Sequence, residues 1–370
     1  MLLSSEYPPG PGGIGNHAFS LSKALARKGM EVFVVCDADY ASQQEVEFFD
    51  QTLPKSVYVN RVYREGIRTY FKRIQFAARI IKQQQISRVI VSGRFSLWTG
   101  AMLKIFGFKV HVMAVLHGSE VNLTHRLFRI VTRLSLQKAD LLVAVSEFTY
   151  SLLPEKLKRK PFRIIPNGID VGEFSCLDER SESMNIKGFP RLLTVGNVTP
   201  RKGQHRVIKA LPQLIKLYPD IHYHIVGLPT CKDDFLQLAQ KLGVSNYVTF
   251  HGRLAGREQL AGMYKSSNCF VILSENQKDG DVEGFGIVVL EANYFGLPAI
   301  GALGCGIADA IENGTNGFLV DGDNPQQIGE ALQNILAIPE QFAEGSHRWA
   351  GLHDWEIIGG QFAEALYFTS

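Results

Sequence analysis

The chain has little cysteine and no long apolar run. Its five thiols include no Cys-x-x-Cys pair, which argues against both a disulfide framework and a zinc site. No stretch reaches the ~20 apolar residues that are needed to span a bilayer. The N-terminus has neither a basic flank nor a long apolar segment, so a signal peptide is not expected. These absences favour a protein of the reducing cytoplasm.

The chain also has no large excess of positive or negative charge. The 39 lysines and arginines nearly balance 36 acids, giving a formal net charge of +3, and no nucleic-acid-binding module is recognisable. At 370 residues the chain exceeds the ~250–300 residues at which a single core stops growing. Two domains are therefore expected. Strands alternate with helices in both halves, which predicts an α/β fold with a parallel sheet in each domain.

A glycine loop follows the first predicted strand, Leu2 to Ser4. The sequence Pro-Pro-Gly-Pro-Gly-Gly-Ile-Gly leads from this strand into a predicted helix, His17 to Lys28. A strand, a glycine loop and a helix in this order present backbone N–H groups to a phosphate, and Gly13 and Gly15 are the candidate residues. A simple turn without a ligand is the alternative.

A histidine turn follows another predicted strand, Val110 to Leu116. The next residues are His-Gly-Ser-Glu, beginning at His117. Open α/β sheets bind ligands at the carboxyl ends of their parallel strands, so His117 is a candidate site residue. A purely structural role for this histidine is the alternative.

The stretch 61–88 is strongly basic, with eight lysines and arginines against a single acid, Glu65. Aromatic and aliphatic residues interleave at helical spacing, which predicts an amphipathic basic helix. Such a helix suits an anionic membrane surface or an anionic acceptor, whereas the alternative is a solvated face on a core-packed helix. The basic residues are Arg61, Arg64, Arg68, Lys72, Arg73, Arg79, Lys82 and Arg88.

A second turn between a strand and a helix lies in the second half of the chain. The predicted strand Arg191 to Val195 opens into Gly-Asn-Val-Thr-Pro-Arg-Lys-Gly. A lysine in such a turn can place a cation on a diphosphate, where a leaving group develops negative charge. Lys202 is the candidate for this role. The side chain of Arg201 is a second candidate that could equally point to solvent.

Two carboxylates flank a Gly-Phe-Gly turn in the stretch 274–311. Glu283 precedes the turn, and Glu291 lies in a predicted helix that begins with the apolar run Ile287 to Leu290 and stops at Gly296. The N-terminus of such a helix suits a phosphate, because its N–H groups are unpaired and its dipole is positive. Because one acid lies on the loop and the other inside the helix, the two can reach different parts of one ligand, as binding of a sugar nucleotide would require.

The segment E-G-F-G-I-V-V-L-E, from Glu283 to Glu291, resembles the E-x7-E signature of retaining glycosyltransferases of the GT-B fold, family 4. The glycine loop, the His-Gly turn, the Pro-Asn-Gly segment at 166–168 and the Arg-Lys-Gly turn are similar to landmarks of that family and occur in its order. One departure is Asn197, since many members have an arginine there. This departure puts the second phosphate cation in doubt, with Arg201 as the candidate replacement.

The resemblance implies two Rossmann-like domains facing across a central cleft. Residues 1–168 would be the acceptor domain, 169–352 the nucleotide-sugar donor domain, and 353–370 a helix crossing back to the N-terminal domain. The implied reaction moves a hexose from a nucleoside-diphosphate sugar to an acceptor hydroxyl with retention of configuration, in cell-surface polysaccharide or glycolipid synthesis. The acceptor would be a sugar, a lipid-linked molecule or a small molecule. No metal and no cofactor are expected, and peripheral contact with the inner face of the membrane would use 61–88.

The resemblance also assigns roles to residues. His117 and Glu283 would act on the transferred sugar, Glu291 would hold the ribose, and no protein nucleophile is assigned, because front-face attack assisted by the leaving phosphate is implied. The implied donor-binding residues are Gly13, Gly15, Asn197, Arg201, Lys202, Arg253, Phe285, Gly286, Ile287, Val288 and Glu291.

Three other functions stay open at this level. A sugar-nucleotide epimerase of the same fold needs no separate acceptor. A nicotinamide-dependent oxidoreductase is disfavoured, because the first loop lacks a G-x-G-x-x-G with an acid ~20 residues further on. A non-catalytic nucleotide-binding module is the third. The sequence does not specify the base, the donor sugar, the acceptor, the linkage or the oligomeric state.

Overall fold

The computed structural model describes residues 1–10, 12–38, 41–63, 65–66 and 68–367. The parts of the predictions that fall on Pro11, Arg64, Ile67 and residues 368–370 lie outside these ranges. The chain divides into two compact units. Unit 1 contains Met1–Asn167 together with the C-terminal segment from Trp355, and unit 2 contains Gly168–Asp354.

Unit 1 is built on a sheet of seven parallel strands in the order β3-β2-β1-β4-β5-β6-β7. Its elements are β1 Leu2–Ser4, α1 Gly13–Arg27, β2 Val32–Asp37, α2 Gln43–Asp50, β3 Val57–Val62, α3 Arg68–Gln83, β4 Arg88–Ser92, α4 Arg94–Ile105, β5 His111–Leu116, α5 Arg126–Lys138, β6 Leu141–Ala144, α6 Glu147–Ser151, α7 Glu155–Lys158 and β7 Phe162–Ile164. Strand β5 is apolar and buried from Val112 to Leu116, as expected of a parallel strand that helices cover on both faces.

Unit 2 contains a sheet of six parallel strands in the order β10-β9-β8-β11-β12-β13. Its elements are α8 Val171–Arg180, β8 Arg191–Val195, α9 Gln204–Leu217, β9 His222–Val226, α10 Lys232–Lys241, β10 Val248–Gly252, α11 Arg257–Ser266, β11 Cys269–Ile272, α12 Ile287–Tyr294, β12 Ala299–Ala302, β13 Gly317–Val320, α13 Pro325–Ala337 and α14 Pro339–Leu352. All four residues of β11 are fully buried at the centre of this sheet. The predicted pair of Rossmann-like α/β domains is therefore confirmed.

The last helix, α15 (Trp355–Leu366), packs on α1 in unit 1. Gly359 permits this close approach, because a Cβ there would lie 2.5 Å from the Ala24 Cβ. The aromatic rings of Trp355 and Phe362 contact the imidazole of His17 edge to face. The predicted return of the C-terminal helix to the N-terminal domain is thus confirmed.

The start of the first helix differs from the prediction. Helix α1 begins at Gly13 rather than at His17, so Gly13 and Gly15 lie in its first turn and not in a loop. Glycine-rich sequence predicts a loop from local propensity, but tertiary contacts override that preference here.

The amphipathic helix that the sequence predicts in the stretch 61–88 is confirmed as α3, Arg68–Gln83, but it does not extend over the whole stretch. The first residues of the stretch belong to β3, where the Arg61 guanidinium pairs with Asp50 at 2.6 Å and donates to the Pro8 carbonyl oxygen at 2.7 Å. In α3, Arg73 is buried and pairs with the equally buried Asp37. The acids that neutralise these arginines come from distant parts of the sequence, which local charge counting cannot reveal.

Other cations of the same stretch are also held within unit 1. The Lys72 ammonium pairs with Glu65 at 2.6 Å, and the Arg88 guanidinium donates to the Leu366 carbonyl oxygen at 2.7 Å. The basic face that the sequence predicts for 61–88 is therefore much reduced. Within the ranges given above, no helix combines the length and apolar content needed to cross a bilayer.

Candidate functional site

Unit 2 has a topological switch point between β8 and β11. These strands are neighbours in the sheet, but the chain leaves β8 toward β9 on one side and reaches β12 from β11 on the other. At such a point the loops after the two strands diverge and leave a crevice at the carboxyl edge, where open α/β sheets bind ligands. The residues that follow β8 and β11 include most of the predicted donor-binding residues.

The turn after β8 is fixed by two glycines. Gly196 has a φ of +145°, and the Lys202 side chain passes within 3.2 Å of the position that a Cβ on this glycine would take. Gly203 has a φ of +75°, and a Cβ there would lie 1.9 Å from the Leu273 carbonyl oxygen. Only glycine combines a positive φ with this contact. The turn is consequently pressed against the end of β11, and its two cations lie beside the loop that follows β11.

Two cations converge on the Glu283 carboxylate. Its Oε2 accepts hydrogen bonds from the Arg201 guanidinium at 2.5 Å and from the Lys202 ammonium at 2.6 Å. Burial raises the pKa of Glu283, but the adjacent Lys202 and Arg201 outweigh burial and hold that pKa below its ordinary value. Asp281 binds the other edge of Arg201 at 2.9 Å. The side chain of Arg201, whose direction the sequence leaves open, therefore points into the site. The site thus contains two acids, Glu283 and Asp281, that balance two cations, Arg201 and Lys202.

The loop that carries Glu283 is supported by a second glycine turn. The Gly306 N–H donates to the Glu283 carbonyl oxygen at 2.9 Å, and a Cβ on Gly306 would lie 2.2 Å from the carbonyl of Gly284. A Cβ on Gly286 would lie 2.3 Å from the Ile307 side chain. These contacts leave the loop that carries Glu283 little room to shift.

Helix α12 begins directly after this loop. Gly286 is its N-cap, with a φ of +85° and no side-chain hydrogen bond to the first turn. The N–H groups of Ile287 and Val288 are in the first turn, where an α-helix offers no partner to its amides, and the dipole there is positive. The Phe285 side chain is buried beside His353 and faces the core. Phe285 therefore offers only its backbone to a ligand.

Glu291 lies further along α12, and a tyrosine fixes its carboxylate. The Tyr264 hydroxyl donates to the Glu291 Oε2 at 3.0 Å. Burial raises the pKa of Glu291, and the hydrogen bond from Tyr264 partly opposes this shift. One carboxylate oxygen is thereby occupied, and the other accepts no hydrogen bond from the residues that the structure describes, so it can accept from a ligand hydroxyl.

Two predicted donor residues are not part of the cluster around Glu283. The Asn197 side chain is exposed, and its backbone carbonyl oxygen accepts from Gln204 at 3.0 Å. Arg253 is exposed after β10, which β9 separates from β8 in the sheet. The structure joins Arg201, Lys202 and Glu283 directly but leaves these two residues apart from them.

Unit 1 also has a topological switch point, which lies between β1 and β4. Gly12 caps α1 with a φ of +135°, and a Cβ there would lie 2.0 Å from the Glu6 carboxylate. The backbone of Gly15 is close to Tyr7, since a Cβ would lie 3.2 Å from the Tyr7 nitrogen. Gly13 and Gly15 thus contribute first-turn amides, and Gly15 also has a structural role in packing.

His117 follows β5 and is held by two groups that the sequence analysis did not assign. Its Nε2 lies 2.8 Å from the Ser92 hydroxyl at the end of β4, and its backbone N–H donates to the Glu120 carboxylate at 2.6 Å. Burial lowers the pKa of His117 to about 4, so the imidazole is neutral at physiological pH. Burial raises the pKa of Glu120 to about 7, against the opposing effect of backbone N–H groups.

His17 of α1 packs edge to face on His117, with ring centroids 4.8 Å apart. Both its ring nitrogens are buried without a hydrogen-bond partner among the described residues. Burial, followed by the neighbouring His117, holds the pKa of His17 well below its ordinary value. Ser92 could have been anticipated, since it ends a predicted strand, but His17 carries no sequence signal beyond its place in a helix.

A switch point that combines paired cations with a helix N-terminus is typical of a domain that binds the phosphates of a nucleotide. Comparison with known families narrows this class. The family described as "Glycosyl transferases group 1" matches residues 178–349, and the family described as "Glycosyltransferase Family 4" matches residues 11–173. Together with the fold, these matches identify the chain as a glycosyltransferase of the GT-B fold.

Individual relatives are similar over their full length. A GDP-mannose-dependent monoacylated alpha-(1-6)-phosphatidylinositol monomannoside mannosyltransferase of Corynebacterium glutamicum is 28% identical, with 99% of this chain and 97% of that protein covered. The GDP-mannose-dependent alpha-(1-6)-phosphatidylinositol monomannoside mannosyltransferase of Mycolicibacterium smegmatis is 27% identical with the same coverage.

Solved structures share the fold. The Anabaena protein HepE, in complex with UDP and glucose, is 21% identical and superposes with a TM-score of 0.74, covering 100% of this chain and 99% of that chain. Sucrose-phosphate synthase from Thermosynechococcus elongatus is 21% identical, with a TM-score of 0.75 over 98% of this chain and 97% of that chain. At this level of identity the similarity establishes the fold alone.

Proposed function

We propose that this glycosyltransferase moves a hexose from a nucleoside-diphosphate sugar to a hydroxyl of a lipid-linked acceptor, with retention of configuration. The observation that carries the proposal is the junction of Arg201, Lys202 and Glu283 at the switch point of unit 2. It combines cations for a diphosphate with a fixed carboxylate for sugar hydroxyls, next to the N-terminus of α12.

The cations stabilise the departing diphosphate in this proposal. An ammonium has three N–H donors and a guanidinium five, so Lys202 and Arg201 can keep their bonds to Glu283 while donating to phosphate oxygens. The first-turn amides of Ile287 and Val288 add donors from the positive end of the helix. This arrangement supplies positive charge where the leaving group develops negative charge, so the proposal assigns no metal ion to the site.

Glu283 binds the sugar and does not attack it. A carboxylate that already accepts from two cations is a weak nucleophile, and its depressed pKa supports a permanently charged hydrogen-bond acceptor. In the proposed step the bond from the anomeric carbon to the diphosphate oxygen breaks while the acceptor oxygen bonds to the same face. The acceptor proton passes to the leaving phosphate oxygen. Configuration is retained without a covalent enzyme intermediate.

The remaining roles follow from the chemistry of each side chain. Glu291, with one oxygen held by Tyr264, accepts from the ribose hydroxyls. In unit 1, His117 orients the transferred sugar as a neutral hydrogen-bonding group, which its low pKa supports. Gly13 and Gly15 add amides of α1 for the diphosphate.

The choice of first substrates follows the relatives. GDP-mannose is the first donor to test, because the relatives from Corynebacterium glutamicum and Mycolicibacterium smegmatis are GDP-mannose-dependent and match along their whole length. UDP-glucose is the second, because HepE was solved with UDP and glucose. Phosphatidylinositol mannosides are the acceptors that the printed activities of these relatives suggest. The proposal places the enzyme in the cytoplasm, in line with its five free cysteines.

The test begins with a thermal-shift panel of UDP, GDP, ADP, CDP and dTDP. A ligand at about a hundred times its dissociation constant stabilises the fold by ~2.7 kcal/mol, which is readily measured. The donor that corresponds to the best base is then incubated with the glycolipid, in EDTA, and the anomeric configuration of the product is read by NMR.

Each outcome of the assay has a defined meaning. Transfer with an α-linked product from an α-linked donor supports retention, and activity in EDTA supports the assignment without metal. Rapid conversion of the donor to an epimer in the absence of acceptor would contradict the transferase proposal. A panel in which no nucleotide shifts the melting temperature would contradict the nucleotide site itself.

A further inference from the structure

Arg94 is a half-buried cation at the carboxyl edge of the sheet in unit 1. It is the first residue of α4 and follows closely after Ser92, whose hydroxyl lies 2.8 Å from the His117 Nε2. Among the residues that the structure describes, no carboxylate lies within 4.0 Å of the Arg94 guanidinium nitrogens, and no group accepts a hydrogen bond from them. Arg61 and Arg73 of the same unit, by contrast, each pair with an aspartate. The donors of Arg94 are therefore not used within the described fold.

Two phenylalanine rings hold this guanidinium in place. Its central carbon lies 5.3 Å from the ring centroid of Phe95 and 5.5 Å from that of Phe128, which is in the first turn of α5. Contact with the face of an aromatic ring stabilises the charge of a guanidinium but uses none of its N–H donors. A planar fork of such donors matches the oxygens of a phosphate. Arg94 is thus positioned for an anionic ligand.

The charge of Arg94 acts on the turn that carries His117. Burial raises the pKa of Glu120 in this turn, backbone N–H groups oppose the rise, and the positive charge of Arg94 opposes it further. The Glu120 Oε2 nevertheless accepts no hydrogen bond from the described residues, so the guanidinium donors are not used there. An anion that Arg94 bound would consequently lie near the sugar that His117 orients in the proposed reaction.

The position of Arg94 separates it from the amides proposed for the donor diphosphate. Strand β1 is followed along the chain by β2 on one side, whereas β4 is followed by β5 on the other side. Since crossovers between parallel strands are right-handed, α1 and α4 lie on opposite faces of the sheet. The amides of Gly13 and Gly15 in α1 and the guanidinium in α4 therefore approach the carboxyl edge from opposite faces. Unit 1 thus offers a separate cation for a second anion.

We propose that Arg94 binds a phosphate group of the acceptor, so that acceptors with a phosphodiester close to the glycosylated sugar are selected over neutral ones. This inference rests on the proposed function and extends it, because it names the chemical group by which the acceptor is recognised. The guanidinium donates two parallel hydrogen bonds to phosphate oxygens while Phe95 and Phe128 keep it in place. A neutral acceptor gains nothing from Arg94.

The test uses two soluble acceptor analogues that differ in the phosphate. Deacylated phosphatidylinositol monomannoside contains the phosphodiester and mannosyl-inositol lacks it, and neither has acyl chains through which it could bind a membrane. Calorimetry measures their affinities for the full chain in the presence of the nucleoside diphosphate that gives the largest thermal shift. We expect the parent to bind the phosphate-containing analogue at least about tenfold more tightly. Arg94→Gln should remove most of this difference and Arg94→Lys should keep part of it, while affinity for mannosyl-inositol stays unchanged.

Arg79 provides a matched control in the same unit. Its guanidinium carbon lies 5.7 Å from the ring centroid of Phe76, and no carboxylate of the described residues lies within 4.0 Å of its nitrogens. It is near the end of α3, which leads to the amino edge of β4 and so to the opposite edge of the sheet. Arg79→Gln should bind both analogues like the parent, and melting temperatures verify that each variant is folded.

Several results would overturn the role of Arg94. They are equal affinity of the parent for the two analogues, no measurable binding of either, and equal losses in Arg94→Gln and Arg79→Gln. A loss of nucleoside diphosphate affinity in Arg94→Gln would also overturn it, by assigning Arg94 to the donor. Failure of the proposed reaction gives a different result, because phosphate-dependent binding without any transfer contradicts the transferase proposal but supports the role of Arg94. Equally efficient transfer to both analogues would overturn the role of Arg94 alone.

Discussion

The substitution Glu283→Gln separates nucleotide binding from transfer. It keeps the size of the side chain and one carbonyl oxygen but removes the charge that Arg201 and Lys202 share at 2.5 and 2.6 Å. The Glu283 and Lys202 side chains are each only 12% exposed, so water compensates poorly for the loss. Weakening two charge-assisted hydrogen bonds should cost about 1–3 kcal/mol, which lowers the melting temperature of a domain of this size by about 2–12 °C.

Binding of a nucleoside diphosphate should respond in the opposite direction. Without the ligand, Arg201 and Lys202 are balanced by Glu283 and Asp281. The variant has an excess of one positive charge at the same place, so nucleoside diphosphate affinity should stay the same or rise by up to about tenfold. Transfer should fall by at least about a hundredfold, because the carboxylate that holds the sugar in the transition state is lost.

The assay combines melting temperatures with and without the nucleotide, a binding isotherm, and turnover with excess donor. Asp281→Asn is the matched control, since Asp281 also pairs with Arg201 but its side chain is 52% exposed. An exposed ion pair contributes less than about 1 kcal/mol, and this control should retain transfer. A folded Glu283→Gln protein that no longer binds the diphosphate would refute the assignment of Arg201 and Lys202 as phosphate contacts. Unchanged turnover would remove Glu283 from the mechanism.

Three further predictions concern other parts of the chain. Ser92→Ala should lower kcat with little change in diphosphate affinity, because His117 loses the hydroxyl 2.8 Å from its Nε2; Ser92→Thr should restore much of the rate, and equal losses in both variants would speak against this role. Gly203→Ala should lower the stability of unit 2 by more than about 2 kcal/mol, because the left-handed backbone and the Leu273 carbonyl both oppose a Cβ; a denaturant titration with unchanged midpoint would contradict it. Burial lowers the pKa of His222 to about 4, so between about pH 6.5 and 4 the unfolded chain binds one more proton than the folded chain, and the folded state loses stability as the pH falls. The melting temperature of His222→Asn should therefore decline less on acidification than that of the parent. Parallel pH profiles of the two proteins would show that His222 is not responsible.

The fold could be predicted from local patterns because they agree with the tertiary structure. The apolar runs of β5 and β11 are buried on both faces, which is the pattern of a parallel strand. The predicted start of α12 at Ile287 and its predicted end before Gly296 agree with the structure. Where sequence and structure differ, the cause is tertiary. The sequence places Arg61 and Arg73 on a basic amphipathic helix, but Arg61 lies in β3, and their partners Asp50 and Asp37 lie on other elements.

The candidate site could be predicted only in part for the same reason. The sequence identifies Lys202, Glu283 and Glu291 through their places beside strand ends and a helix start. It cannot give the direction of Arg201, which depends on the contact between Gly203 and the Leu273 carbonyl. It also cannot pair Ser92 with His117, because they end neighbouring strands that are distant in sequence. The positions of candidate residues along the chain can be predicted from the sequence pattern, whereas their contacts across the switch points depend on the order of strands in the sheet.

The packing of α15 on α1 has a consequence for the folding of the protein during its synthesis on the ribosome. The helix that covers the His17 side of α1 is encoded at the far end of the chain, after all of unit 2. At about 5–20 residues per second, translation needs roughly 10–40 s to add unit 2 before that helix emerges. We expect nascent chains arrested before Trp355 to have a protease-resistant unit 2 and a protease-sensitive unit 1, whereas equal resistance of both would show that α1 does not wait. The first unit to be synthesised would then be the last to be completed, with an uncovered apolar surface that chaperones can bind during that interval.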